Sequence, residues 1–160
     1  MKNLSKQKTN VIRILESQDI KHNVFEYSIA DGLLDAVNVA RKIGVEQERV
    51  FKTLVTIGKK TGINVFVIPG NYELDLKKAS DVAEDKSIEM IKSKELLPLT
   101  GYIHGGCSPI GMKKDYPVYV EEIASQYEYI VISAGKIGLQ VSINPRDLLL
   151  LTGFKYADLV

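Results

Sequence analysis

Two hydrophobic periods alternate along this chain. Val11, Ile12, Ile14 and Leu15 recur at helical spacing after Thr9 and Asn10, whose side chains can cap, and predict a first amphipathic helix. Asn23 to Tyr27 reads as a short strand. Asp35 to Ile43 repeats the helical pattern and runs into Gly44, where a helix end calls for left-handed backbone. The segments RVFKTLVTIG and GINVFVIPG are rich in β-branched and aromatic residues and flank the turn Lys59-Lys60-Thr61-Gly62, which predicts a hairpin. Leu74 to Ala83 then predicts a helix and Ile88 to Ile91 a short strand. A short helix over Lys94 to Leu97 should end at Pro98.

The second half reads as strands. Tyr102 to His104, Val118 to Glu121, Tyr129 to Ser133 and Leu139 to Ile143 are short and separated by Gly, Pro or polar turns. SAGKIG, from Ser133 to Gly138, predicts a tight hairpin turn with Ser133 and Lys136 as polar tips. Asn144-Pro145 places a cap before a proline at the first helical position, and Gly153 stops that last helix. Helices interleave with hairpins without a regular βαβ rhythm. The expected fold class is α+β: a single compact domain over 1–160 with a mixed, strongly curved, barrel-like sheet and flanking helices.

Composition narrows the partners more than the fold. With 160 residues, 45% apolar and 26% charged, the chain suits one soluble domain. Its uncharged apolar runs are strand-sized, so no membrane span is expected, and the Lys-rich opening (Lys2, Lys6, Lys8) lacks a signal peptide's apolar core. One cysteine allows no internal disulfide, which makes a cytoplasmic location the default expectation. A net charge of +1 gives no broad basic footprint for nucleic acid; only the pairs Lys59-Lys60, Lys77-Lys78 and Lys113-Lys114 cluster. Two histidines and one cysteine show no metal-ligand spacing, and no cofactor motif is present.

Candidate chemistry gathers at two places. On a strand of period two, Lys52 shares a face with Val50 and Leu54, while Phe51, Thr53, Val55 and Ile57 line the other. A lysine there either snorkels out at an edge or offers its charge and three donors to a ligand in a cleft. The second place is GYIHGGCSPIGMKK, residues 101–114. Gly105 and Gly106 let backbone N–H groups approach a ligand closely, as in an oxyanion hole, and Pro109 stiffens the exit. His104 and Cys107 raise the alternative of a base and a nucleophile, with no acidic residue nearby in sequence to orient the histidine. Asp147, in the first turn of the last helix, favours the helix dipole whether or not it meets a ligand.

RVFKTLV, TGYIHGGCSPIGMKK, ISAGKIGLQV and NPRDLLLLTG, in this order and spacing, resemble the YbaK/EbsC family of aminoacyl-tRNA deacylases, relatives of the editing domain of bacterial prolyl-tRNA synthetases. The resemblance runs from about Thr9 to the end of the chain. It implies trans-editing of a mischarged aminoacyl-tRNA, Cys-tRNA(Pro) foremost, with Lys52 essential and the loop Gly105-Gly106-Cys107-Ser108-Pro109 facing the aminoacyl ester at the tRNA 3′ end. It further implies substrate-binding roles for Tyr27, Ser133 and Asp147. Cys107 stands where the family usually has an aliphatic residue. In cysteine-editing members the substrate thiol attacks its own ester carbonyl, so the protein supplies position, charge and oxyanion donors. A prolyl-tRNA synthetase partner, in a ternary complex with tRNA, would supply the affinity that the neutral charge does not. Alternatives are another mischarged substrate such as Ala-tRNA(Pro), a non-catalytic synthetase- or tRNA-binding adaptor, and a Cys107-dependent thiol enzyme.

Overall fold

The computed structural model describes residues 8–160, so Lys2 and Lys6 lie outside the described residues. Among the described residues five helices, α1 (Asn10–Ser17), α2 (Ala36–Ile43), α3 (Leu76–Val82), α4 (Ser93–Thr100) and α5 (Pro145–Thr152), accompany eight strands. Four of the helices begin where a side-chain oxygen accepts an otherwise orphaned N–H: Thr9 from Ile12, Asp35 from Asn38, Asp75 from Lys77 and Lys78, and Asn144 from Arg146. In α4 the Glu95 carboxylate reaches back instead to the Lys92 N–H, at 2.9 Å. Gly44 closes α2 in the expected left-handed conformation, with φ of 72°.

Pro98 lies inside α4 and does not end it. Proline there costs one intrahelical hydrogen bond, but the turn continues because Gly101 N–H donates to Leu97 and the Thr100 hydroxyl to Leu96. Tyr102 to His104 is not a strand. Gly101 and Gly105, with φ of 88° and 87°, bend the chain at both ends, and the Tyr102 hydroxyl donates back to the Ile110 carbonyl within the same loop.

The strands are β1 (Asn23–Glu26), β2 (Phe51–Gly58), β3 (Gly62–Pro69), β4 (Ile88–Met90), β5 (Val118–Glu121), β6 (Ile130–Lys136), β7 (Leu139–Ile143) and β8 (Lys155–Ala157). They make two sheets in place of the expected barrel: β1-β7-β6, all antiparallel, and β4-β2-β3-β5-β8, antiparallel to β3 and parallel beyond it. Among the described residues no ladder closes them, and the parallel bridge between Val50 and Val131 links one sheet to the other. SAGKIG is strand as far as Lys136, with a bulge between Ser133 and Lys136, and the turn is confined to Ile137 and Gly138.

The alternation along β2 comes out as the period requires. Phe51 and Val55, with Val65 and Val67 of β3, join the larger core against Ile130, Ile132 and Val141 of the other sheet. Phe66 and Ile68 turn the opposite way, onto Ala79 and Ala83 and the C-terminal Leu159, and Leu54 packs there too. A side chain such as Phe66, 0% exposed, contributes about 1.5–3 kcal/mol by leaving water. Helix α2 covers the seam, where Ala40 meets Val50 and Val131.

Candidate active site

Strand β4 pairs with β2 only at Thr56, Ile57 and Gly58. Along Phe51 to Leu54 the outer edge of β2 therefore has no neighbouring strand among the described residues, and a cavity of about 500 Å³ opens beside it. The start of α2, the N-terminal end of α4, the 101–114 loop and the β6–β7 hairpin close the other sides. A half-open, mainly apolar cavity of this size with a few polar groups is suited to a small organic moiety.

Tyr27, Lys52, Gly105, Cys107 and Ser133 all line this cavity. The Lys52 side chain is 32% exposed, and its ammonium lies 3.8 Å from a Glu73 carboxylate that is itself 98% exposed. So loose a pair leaves the charge available to a ligand. The Ser133 hydroxyl is 3.0 Å from the Gly135 N–H, which donates to it. Burial pushes the Cys107 thiol up to about 12, so it stays protonated at neutral pH and is a poor nucleophile. His104 also lines the cavity, but no hydrogen bond joins it to Cys107. A protonated thiol with no hydrogen-bonded base argues against the thiol-enzyme alternative, which the activity of Cys107→Ala decides.

Four of the expected residues sit elsewhere. The Gly106 N–H donates to Ile103, at 3.0 Å, and so is not free to grip a ligand. A Cβ at Gly106 would lie 3.1 Å from the Ile137 nitrogen, so this glycine serves close packing against the β6–β7 turn. Ser108 is 0% exposed, and its hydroxyl accepts from Ile110 within the loop. Pro109 is buried outside the cavity lining. Asp147 lines a different cavity of about 380 Å³, with His22 and Tyr129, on the end of the sheet that contains β7.

Two cavity residues escaped the sequence reading. Thr53 Oγ1 and Gln140 Oε1 are both fully buried with no hydrogen-bond partner, and both residues line the cavity that holds Lys52. A buried polar atom left unpaired is costly, which sets these two side chains apart from the apolar wall around them. The available signal was polarity at a core-facing strand position. Thr53 shares its face with Phe51 and Val55, and Gln140 interrupts β7, in which every residue is buried.

Residues 31–151 match the family described as the aminoacyl-tRNA editing domain. EbsC of Enterococcus faecalis, assigned as a Cys-tRNA(Pro)/Cys-tRNA(Cys) deacylase, is 47% identical over 158 residues, covering 99% of this chain and 96% of that protein. A solved structure assigned as a trans-editing enzyme for prolyl tRNA synthetase superimposes with a TM-score of 0.80 at 30% identity, covering 91% of this chain and 90% of that one. The proline–tRNA ligase of Shouchella clausii is 28% identical over 107 residues, which span 66% of this chain and 19% of the ligase. An α+β fold with a cavity at an open strand edge, matched in this way, is that of an editing domain. The chain belongs to the aminoacyl-tRNA editing-domain family, and the resemblance read from its four motifs holds.

Proposed function

We propose that this chain edits in trans by hydrolysing mischarged Cys-tRNA(Pro), with the aminoacyl ester seated in the Lys52 cavity. The class of activity, aminoacyl-tRNA deacylation, goes with the family. The finer reading is supported by one observation: the cavity brings the loosely paired Lys52 ammonium together with the polar residues Thr53, Ser133 and Gln140, and its thiol is protonated. Such a site offers charge and hydrogen bonds but no ionised thiol, and in this reading the attacking atom comes with the substrate or from water.

For esterified cysteine the step is intramolecular. The substrate sulfur bonds to its own carbonyl carbon, the ester C–O bond breaks, and the thiol proton passes to the departing 3′ oxygen. That leaves free tRNA and a thiolactone for water to open. Lys52 and the cavity-facing Gly105 stabilise the negative charge that develops on the carbonyl oxygen, and holding sulfur and carbon together removes most of the entropic barrier. Tyr27 and Ser133 bound the space around the ester, and Cys107 forms part of the wall. With a charge of only +1 the chain relies on a synthetase partner for much of its tRNA affinity.

The test is release of labelled cysteine from Cys-tRNA(Pro) by the wild-type chain and by Lys52→Ala, with S-alkylated Cys-tRNA(Pro) and Ala-tRNA(Pro) alongside. Rapid release that requires both Lys52 and a free substrate thiol supports the proposal. Hydrolysis of Ala-tRNA(Pro) or of the alkylated substrate at the same rate would replace the substrate thiol with water. A failure to bind prolyl-tRNA synthetase and tRNA together would remove the ternary complex.

A further inference from the structure

The segment 28–35 crosses from Tyr27 to the start of α2 as a strap without regular structure, and its last residues, Leu34 and Asp35, form part of the cavity wall. It carries Ile29, Leu33 and Leu34, which are 51%, 44% and 39% exposed, so little apolar burial holds it down. Most of its fastening comes from one side chain outside it. Lys42, in the last turn of α2, donates to the Ser28 carbonyl at 2.8 Å, to the Leu33 carbonyl at 3.0 Å and to Asp31 Oδ1 at 2.7 Å. Its ammonium also stands 5.9 Å from the centre of the Tyr27 ring, which faces the cavity.

An ammonium has three donors, and here all three are committed to the strap. The Lys42 side chain is 11% exposed, so the bonds are shielded from water at one end, and Asp31 is held below the usual carboxylate range chiefly by this hydrogen bond. Asp31 in turn accepts from Leu33 N–H at 3.0 Å, which closes the strap on itself. A lysine so fully engaged is unavailable to a substrate, and its effect on the cavity must pass through the residues it holds.

We propose that Lys42 is a positioning residue for the editing cavity, fastening strap 28–35 so that Leu34, Asp35 and Tyr27 keep the width of its mouth. The fastening itself is independent of the function proposed above; its kinetic consequence rests on that function. The carbonyls of 28 and 33 lie on either side of Asp31, so one cation sets the curvature of the whole strap.

The experiment pairs hydrogen exchange with kinetics on the full chain, comparing wild type, Lys42→Met and Asp31→Asn. Methionine keeps the apolar stem and removes the donors, while asparagine keeps an acceptor for Lys42. In Lys42→Met the amides of 29–34 should lose protection while those of β2 and β7 keep theirs, and Asp31→Asn should stay near wild type. The KM for Cys-tRNA(Pro) should rise about ten-fold or more with kcat within about two-fold, because a loosened wall weakens binding of the ground state and the transition state alike. Unchanged exchange in the strap, or protection lost throughout the chain together with kcat, would overturn the proposal. An inactive wild type would defeat the deacylase reading alone, since the exchange comparison still decides whether Lys42 holds the strap.

Discussion

Thr53 and Gln140 come from different sheets, yet both line the same cavity, and each carries a buried polar atom without a hydrogen-bond partner. Neither atom makes a hydrogen bond within the protein. Replacing them should therefore separate stability from activity. Thr53→Val and Gln140→Leu are each expected to stabilise the free protein by about 1 kcal/mol, by removing an unsatisfied group, while lowering kcat/KM for the aminoacyl-tRNA. Urea unfolding and steady-state deacylation on the same preparations check both halves; a variant that loses stability and activity together refutes this account.

Lys52 should show the complementary behaviour. Its one ion pair, 3.8 Å long and to an exposed partner, adds little to stability, so Lys52→Ala should unfold within about 0.5 kcal/mol of wild type. Deacylation should fall by about 100-fold or more if the ammonium meets the developing oxyanion. Glu73→Gln, which removes only the weak partner, should retain activity.

Cys107 should be inert at neutral pH. Iodoacetamide at pH 7 is expected to label the unfolded chain but hardly the folded one, and Cys107→Ala should keep its deacylase activity. The same burial makes stability fall at high pH. The folded thiol is raised to about 12 from an ordinary value near 9, and Tyr102 from 10 to about 12, both chiefly by desolvation. The unfolded chain thus releases protons above pH about 9 while the folded one holds them. The stabilisation is whole below that value and is lost as pH rises toward about 12. Denaturation midpoints between pH 8 and 11 read this slope, which should be shallower in Cys107→Ala.

Gly106→Ala tests the packing role of the loop. The added methyl would press on the Lys136–Ile137 backbone at 3.1–3.3 Å, so the β6–β7 turn must move and about 1–3 kcal/mol of stability should be lost. Gly105→Ala meets only the flexible end of Ile137 at 3.4 Å, but its φ of 87° makes any side chain strained, at about 1–2 kcal/mol. Chemical denaturation of the two variants measures both costs, and trimming Ile137→Ala should relieve neither, since one is a clash with backbone and the other is strain within it.

Asp147→Asn should leave deacylation unchanged. The residue lines the second cavity, away from Lys52, and its loss removes only a favourable charge from the first turn of α5, worth about 0.3–1 kcal/mol. A large drop in kcat/KM in this variant would mean that the second cavity takes part in handling the tRNA.

Much of the local structure was legible because it is decided locally. Thr9, Asp35, Asp75 and Asn144 cap because a short side-chain oxygen reaches its own helix's N–H groups, and β2 and β3 pair because the intervening turn fixes their register. The strand period likewise placed Lys52 and Leu54 on one face and Phe51 and Val55 on the other. The ordered motifs were enough to indicate the family, since their residues keep the same spacing whatever the tertiary detail. What the amino acids near a position could not decide was which distant strand would meet it. Pairing energies are similar for many partners, so the division into two sheets, the parallel addition of β8 and the loss of a strand at Tyr102 depend on the whole core. The site follows the same rule. Gly106 spends its N–H on Ile103, Asp147 falls on the far end of a sheet, and Gln140 and Thr53, from different sheets, line one cavity. Proximity between residues far apart in sequence is created by packing, and only the folded chain contains it.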